Sequence, residues 1–157
     1  MKSTSILVSD HCLIEQVLNC LERMVGLCEY QRKLELAPAR DAIAFFRGFV
    51  ERCHYGKVEN QLLRAMQVAG ISPQACLGGS VLPRREEAGS HLDAMEAAIQ
   101  PASAGDVTAL NEFAEHARAY IGLVLGGIAR QEDRLFPVIA RTMPEGEKAR
   151  LSIALDT

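Results

Sequence analysis

Residues 11–28 read HCLIEQVLNCLERMVGLC, and the spacing of their apolar positions decides the fold. The apolar residues recur at intervals of three and four, the repeat that keeps side chains on one face of an α-helix. They are Ile14, Val17, Leu18, Leu21, Met24, Val25 and Cys28. The pattern predicts a long amphipathic helix that begins at His11 and ends at about Leu36.

The rest of the chain also shows apolar residues at helical spacing, separated by residues that begin or end helices. Pro38 suits the first turn of a second helix, Asp106 is a good N-cap for a later one, and Pro144 ends that helix. The predicted segments are a second helix over 38–69, a loop over 70–83, a third helix over 85–99, a fourth over 106–142 and a short C-terminal helix over 145–155.

These segments together predict the fold class. No segment shows the β-branched alternation of a strand. Helices joined by short connections bury their apolar faces best when they pack side by side. We therefore expect an all-α, up-down-up-down four-helix bundle that forms a single domain over residues 1–157, with a short additional C-terminal helix.

Composition excludes several classes of function. The net charge is −3 and no dense Lys/Arg stripe occurs, so we expect no binding to nucleic acid. The longest apolar stretch, Ile121 to Ile128, is far shorter than the roughly 20 residues that span a bilayer. The first residues do not resemble a secretory signal, and the 5 cysteines form no C-x-x-C pair. We expect a cytoplasmic protein with reduced thiols.

Several polar residues fall on predicted apolar faces. His11 shares a stripe with Ile14, and Tyr55 and Glu59 share the face of the second helix that carries its apolar residues. At about 100° per residue, His54 lies about 140° from Glu59, on the flank. An inward carboxylate such as Glu59 is costly unless it is paired or bound to a metal. Imidazole and carboxylate groups from several helices are ligands of non-haem iron or manganese. The alternative is a metal-free polar core in which these groups bond to one another.

Four stretches carry a resemblance to a known family. SDHCLIEQVL (9–18), FVERCHYGKVE (49–59), FAEHARAY (113–120) and LFP (135–137) resemble the hemerythrin-like, HHE cation-binding family. The resemblance implies a four-helix bundle whose relatives usually hold two irons through histidines and bridging carboxylates. Such proteins bind or sense dioxygen, nitric oxide or iron, or act in oxidative stress. By this resemblance His11 and His91 match ligand positions of helices 1 and 3, and Glu59 matches the carboxylate of helix 2.

The chain also departs from the family pattern. Relatives commonly read HHGKEE where this chain reads HYGKVE (54–59), and HIxKED where it reads GIARQE (127–132). Gly127 thus replaces a histidine and Gln131 a carboxylate, and we expect a pocket beside Gly127. His116 lies about 16 Å from Gly127 along the helix, too far to fill the vacancy.

The sequence thus predicts an altered non-haem iron site, mononuclear or dinuclear, rather than a catalytic centre. The candidate ligands are His11, Tyr55, Glu59, His91 and Glu132, followed by His54, Glu15 and Gln131. Sensing of dioxygen, nitric oxide or redox state, or handling of iron and oxidative stress, is the expected function. A small diatomic ligand is the expected partner, and a homodimer is left open. We expect Glu59→Gln to abolish metal uptake more completely than His54→Ala.

The sequence leaves two alternatives open. In one, the bundle has lost its metal and serves as a binding or interaction module, which the neutral residues Val58 and Gln131 favour. In the other, Cys12 or Cys53 gives the protein a thiol-based redox role, since each adjoins a histidine. Neighbours in a helix point about 100° apart, so adjacency is weak support for the second alternative.

Overall fold

The computed structural model describes residues 2–78 and 81–156, and this part of the chain is helical with no strand. Its α-helices are α1 (Lys2–Gly26), α2 (Leu36–Phe45), α3 (Tyr55–Lys57), α4 (Leu63–Val68), α5 (Pro73–Leu77), α6 (Arg85–Ser103), α7 (Val107–Arg130), α8 (Phe136–Thr142) and α9 (Glu145–Asp156). Its π-helical segments, which have one more residue in each hydrogen-bonded turn, are Leu27–Gln31, Phe46–His54, Val58–Leu62 and Gln131–Leu135. The all-α prediction is confirmed.

The first long helix ends earlier than its apolar pattern predicts. α1 continues into the π segment Leu27–Gln31, and Arg32 then adopts a left-handed backbone with φ of 53°. The N–H of Arg32 bonds to the carbonyl of Leu27, which closes the last wide turn. The chain restarts as α2 at Leu36, so Leu36 begins the second helix instead of ending the first.

The second long helix runs continuously over residues 36–68, from α2 through α3 to α4, and contains two π segments. The N–H of Tyr55 bonds to the carbonyl of Val50, and that of Leu63 bonds to the carbonyl of Val58, five residues back in each case. α3 lies between these wide turns. The helix ends at Val68, close to its predicted end.

The second half of the chain follows the prediction closely. Asp106 caps α7 as expected, with its Oδ1 accepting from the N–H of Ala109 at 3.1 Å. α6 runs past Pro101 to Ser103, beyond the predicted end, and Gly105 makes the turn with φ of 95°. The predicted loop holds the short helix α5, and α9 confirms the C-terminal helix.

The helices pack around one apolar core. α6 packs against α7, α7 against α1, α2 against α6, and α9 against α1. The predicted stripe of α1 is buried at Ile14, Leu18, Leu21 and Val25. Within residues 2–78 and 81–156, no helix combines the length and apolar character needed to cross a membrane.

Candidate buried histidine site

His11 is the centre of a buried polar cluster. It lies on the inner face of α1 with 1% of its surface exposed. Its Nδ1 lies 2.9 Å from Oε2 of Glu132, and its Nε2 lies 3.1 Å from Oε1 of Gln131. Both partners belong to Gln131–Leu135, the π segment that follows α7. One imidazole therefore connects the first long helix to the last.

The side-chain amide of Gln131 is oriented by the chain that precedes α6. Its Nε2 donates to the carbonyl of Val81 at 3.3 Å, which leaves Oε1 facing His11. When a neutral His11 donates its Nδ1–H to Glu132, its Nε2 carries a lone pair. Two acceptor atoms then face each other at 3.1 Å. Such a contact is stable only when a proton lies between the two atoms or a metal cation lies beside them and binds both.

His54 is a second buried imidazole with a similar arrangement. Its Nδ1 lies 3.0 Å from Oδ2 of Asp10, and Nζ of Lys57 donates to the same oxygen at 3.0 Å. A carboxylate at Nδ1 fixes the tautomer in which the lone pair is on Nε2. Asp10 therefore orients His54 as Glu132 orients His11.

The two imidazoles line one small cavity. Their ring centres are 4.9 Å apart with planes at 68°, and Phe136 stacks on His11 at 5.9 Å. The cavity measures about 10 Å³, which is close to the space that one water-sized sphere requires. It is lined by His11, Ile14, His54, Tyr55, Pro83, Val124, Gly127, Ile128 and Gln131.

Gly127 lines this cavity. A Cβ added at Gly127 would lie 3.4 Å from the ring of Pro83, at ordinary van der Waals distance, so the space beside the glycine is narrow. The pocket predicted beside Gly127 is confirmed, although it is small.

Burial and neighbouring charges set the ionisation of the cluster. Burial lowers the pKa of His11 and the charge of His54 lowers it further, against the raising effect of Glu132 and Gln131. Burial opposes ionisation of Asp10, but hydrogen bonds from His54 and Lys57 outweigh it and lower the pKa of this carboxyl. Burial also raises the pKa of the Tyr55 phenol far above its ordinary value, and the charge of Glu51 adds to this effect. A neutral His11, an ionised Asp10 and a protonated Tyr55 are therefore favoured.

The structure brings part of the predicted ligand set together. His11 and Tyr55 line the cavity, and Glu132 contacts His11 from outside it. Two residues of the secondary set, His54 and Gln131, also line the cavity. The third, Glu15, is half-buried and is not among the lining residues.

Glu59 and His91 do not line the cavity. Oε2 of Glu59 lies 2.7 Å from Nη2 of Arg85, and the Glu59 side chain is 37% exposed. Nδ1 of His91 lies 2.9 Å from Nδ1 of His116. The inward orientation predicted for Glu59, and the flanking position predicted for His54, are both wrong.

The π turns of the second long helix explain these two errors. A π turn is wider than an α turn, so successive side chains advance by less than the about 100° of an α-helix. The segments Phe46–His54 and Val58–Leu62 stand on either side of α3 and change the face on which each residue falls. Apolar spacing does not reveal a π turn, and no local signal pairs Asp10 or Lys57 with His54.

The residues present do not fit a two-iron centre. Such a centre needs carboxylates between the two ions. Here Glu132 and Asp10 contact the Nδ1 atoms of the histidines, and Glu59 binds Arg85. In the part of the chain that the structure describes, no three His, Cys, Asp or Glu side chains converge as metal ligands.

Comparison of the chain with protein-family models, with curated proteins and with solved structures gave no match. The resemblance to hemerythrin-like proteins therefore rests on the sequence motifs.

Proposed function

We propose that the protein is a hemerythrin-like four-helix metal-binding protein that holds one transition-metal ion, instead of two, at His11, His54 and Gln131. The observation that carries this proposal is the buried contact of 3.1 Å between Nε2 of His11 and Oε1 of Gln131. Two ligand atoms with bonds of about 2.1 Å to one ion lie about 3 Å apart when the bonds are near a right angle. The contact thus has the spacing of two neighbouring ligands of one ion.

The carboxylates behind the histidines support the same interpretation. Metal-binding histidines commonly donate their second ring N–H to a carboxylate, which orients the ring and strengthens its lone pair. Glu132 and Asp10 occupy these positions for His11 and His54. Their negative charges also offset the cost of burying a cation.

The donor set and the cavity limit what the site does. Imidazole nitrogen and amide oxygen suit first-row ions such as iron, and iron is the ion that the family resemblance implies. An ion bound here would supply a Lewis-acidic or redox-active centre. The cavity of about 10 Å³ has room for the ion but not for a second molecule beside it. This favours sensing or handling of the metal, or of its redox state, over carriage of a diatomic gas.

Metal titration of the chelator-treated protein tests the proposal. We expect Fe²⁺ added without oxygen, or Co²⁺ as a spectroscopic probe, to bind at one ion per chain in the cavity and to raise the thermal midpoint. His11→Ala and His54→Ala should abolish this binding, and Gln131→Glu should tighten it because a carboxylate is the stronger ligand. The matched control is His116→Ala, a histidine that does not line the cavity. Equal binding by the wild type and both cavity variants, or no binding at all, would overturn the proposal.

A metal-free interaction module is the second candidate. One observation favours it: a protonated His11 can donate to Glu132 and Gln131 together, and this satisfies both contacts without a metal. In that case chelators should leave the thermal midpoint unchanged. Nitrogen-15 spectra should then show a proton on Nε2 of His11, the atom that a metal ion would bind.

A further inference from the structure

A second pair of histidines lies outside the cavity, between α6 and α7. Nδ1 of His91 is 2.9 Å from Nδ1 of His116, and both side chains are half-buried. The ring centres are 5.2 Å apart. This is close to the largest separation that a 2.9 Å contact between ring nitrogens permits, so the two nitrogens point at each other almost head-on.

Head-on geometry identifies what the pair shares. One ring has to donate an Nδ1–H and the other has to accept it with a lone pair. A metal ion on the same line would need the nitrogens about 4 Å apart, at two bonds of about 2.0–2.1 Å each. The observed separation is too short for that, so the pair shares a proton.

The number of protons on the pair decides whether the contact survives. With both rings neutral, one N–H donates to one lone pair, and a first added proton makes the same bond charge-assisted and stronger. A second added proton removes the last acceptor. Two N–H groups, each on a positive ring, then face each other at hydrogen-bond distance, and the rings have to separate.

Charged side chains lie on α6 and α7 and on the elements that pack against them. Glu87 of α6 and Glu112 of α7 each lie one turn before a histidine of the pair. Arg47 binds Asp93 and Glu96 of α6. Glu29 binds Arg118 of α7, and the charge of Glu22 of α1 also acts on Arg118. Among the described residues, none of these forms an ion pair or a hydrogen bond with either imidazole ring.

We propose that His91 and His116 form a proton-dependent latch between α6 and α7. The latch is closed in the neutral pair, tightest with one added proton, and open with two. It is independent of the cavity at His11 and His54, because no residue of the pair lines that cavity.

A double-mutant cycle across pH tests the latch. Chelator-treated wild type, His91→Ala, His116→Ala and the double variant are melted at pH 8, 6.5 and 4.5, and the coupling between the two sites is taken from the four midpoints. The contributions of His11 and His54 cancel in the cycle. We expect a positive coupling, largest near pH 6.5, by about 2–4 °C over its value at pH 4.5. A coupling that is absent at every pH, or that only rises or only falls with pH, would overturn the latch.

Nitrogen-15 spectra of the wild type give a second test that needs no variant to fold. We expect one Nδ1 of the pair to carry a proton at pH 8 and the other to carry a lone pair, as the shared hydrogen bond requires. Two Nδ1 atoms that both lack a proton at pH 8 would contradict the proposal. Loss of metal binding at His11 leaves this result unchanged, so the two proposals fail separately.

Discussion

The hydroxyl of Tyr120 is a buried polar group. Tyr120 is fully buried in α7 with its ring 5.0 Å from that of Phe46, and its hydroxyl has no hydrogen-bond partner within residues 2–78 and 81–156. A buried, unpaired hydroxyl costs about 1–3 kcal/mol. We expect Tyr120→Phe to raise the free energy of unfolding by about 1 kcal/mol in urea denaturation. The control Tyr30→Phe, at an exposed position, should change nothing. Destabilisation by Tyr120→Phe would show that the hydroxyl makes a bond.

The buried thiol of Cys28 makes the stability of the protein depend on pH in the alkaline range. Burial raises the pKa of its thiol to about 11, and the charge of Glu29 adds to this effect. The folded protein therefore keeps a proton that the unfolded chain releases, so this group makes stability fall as pH rises from about 9 towards 11. We expect Cys28→Ala to flatten the fall measured by denaturation between these pH values, and Cys20→Ala, an exposed control, to leave it unchanged. The same slope in both variants would contradict the assignment.

At the scale of elements, the wide turns of the second long helix reverse an expectation drawn from the sequence. His54 is buried against Asp10, whereas Glu59 is partly exposed and binds Arg85. We therefore expect His54→Ala to abolish cobalt binding and Glu59→Gln to leave it within a factor of about two, since a partly exposed ion pair contributes little. Cobalt absorption at equal protein concentration measures both. Loss of binding in Glu59→Gln with binding kept in His54→Ala would show instead that Glu59 points inward and His54 lies on the flank, as in a regular α-helix.

The same comparison shows which features the sequence could predict. The stripe of α1, the Asp106 cap and the C-terminal helix depend on residues within a few positions of one another, and the structure confirms them. The contact of His11 with Gln131 joins residues 120 positions apart, and that of His54 with Asp10 joins residues 44 apart. Helix packing decides such contacts, and π turns change the side of the helix on which each residue lies. The residue types of the cluster were predictable, but their pairing was not.

At the scale of the whole molecule, α1 contacts most of the other long elements and holds them together. Its polar residues bind the segments after α7 and before α3, and its apolar side packs against α7 and α9. α9 packs against α1 and also against Val58–Leu62, a segment close in sequence to the cavity residues His54 and Tyr55. The burial of α9 should therefore contribute to global stability.

Two leucines of α9 make this contribution measurable. Leu151 and Leu155 are each 2% exposed, whereas Ile153 of the same helix is 70% exposed. Replacing a buried leucine by alanine removes apolar contacts and leaves a cavity, so we expect Leu151→Ala and Leu155→Ala each to lower the free energy of unfolding by about 2–4 kcal/mol. Ile153→Ala should change it by less than about 0.5 kcal/mol. Denaturant unfolding followed by circular dichroism measures all three, and a single transition in each variant would show that α9 unfolds together with α1. Equal, small effects at the three positions would mean that α9 folds onto the core too weakly to hold α1.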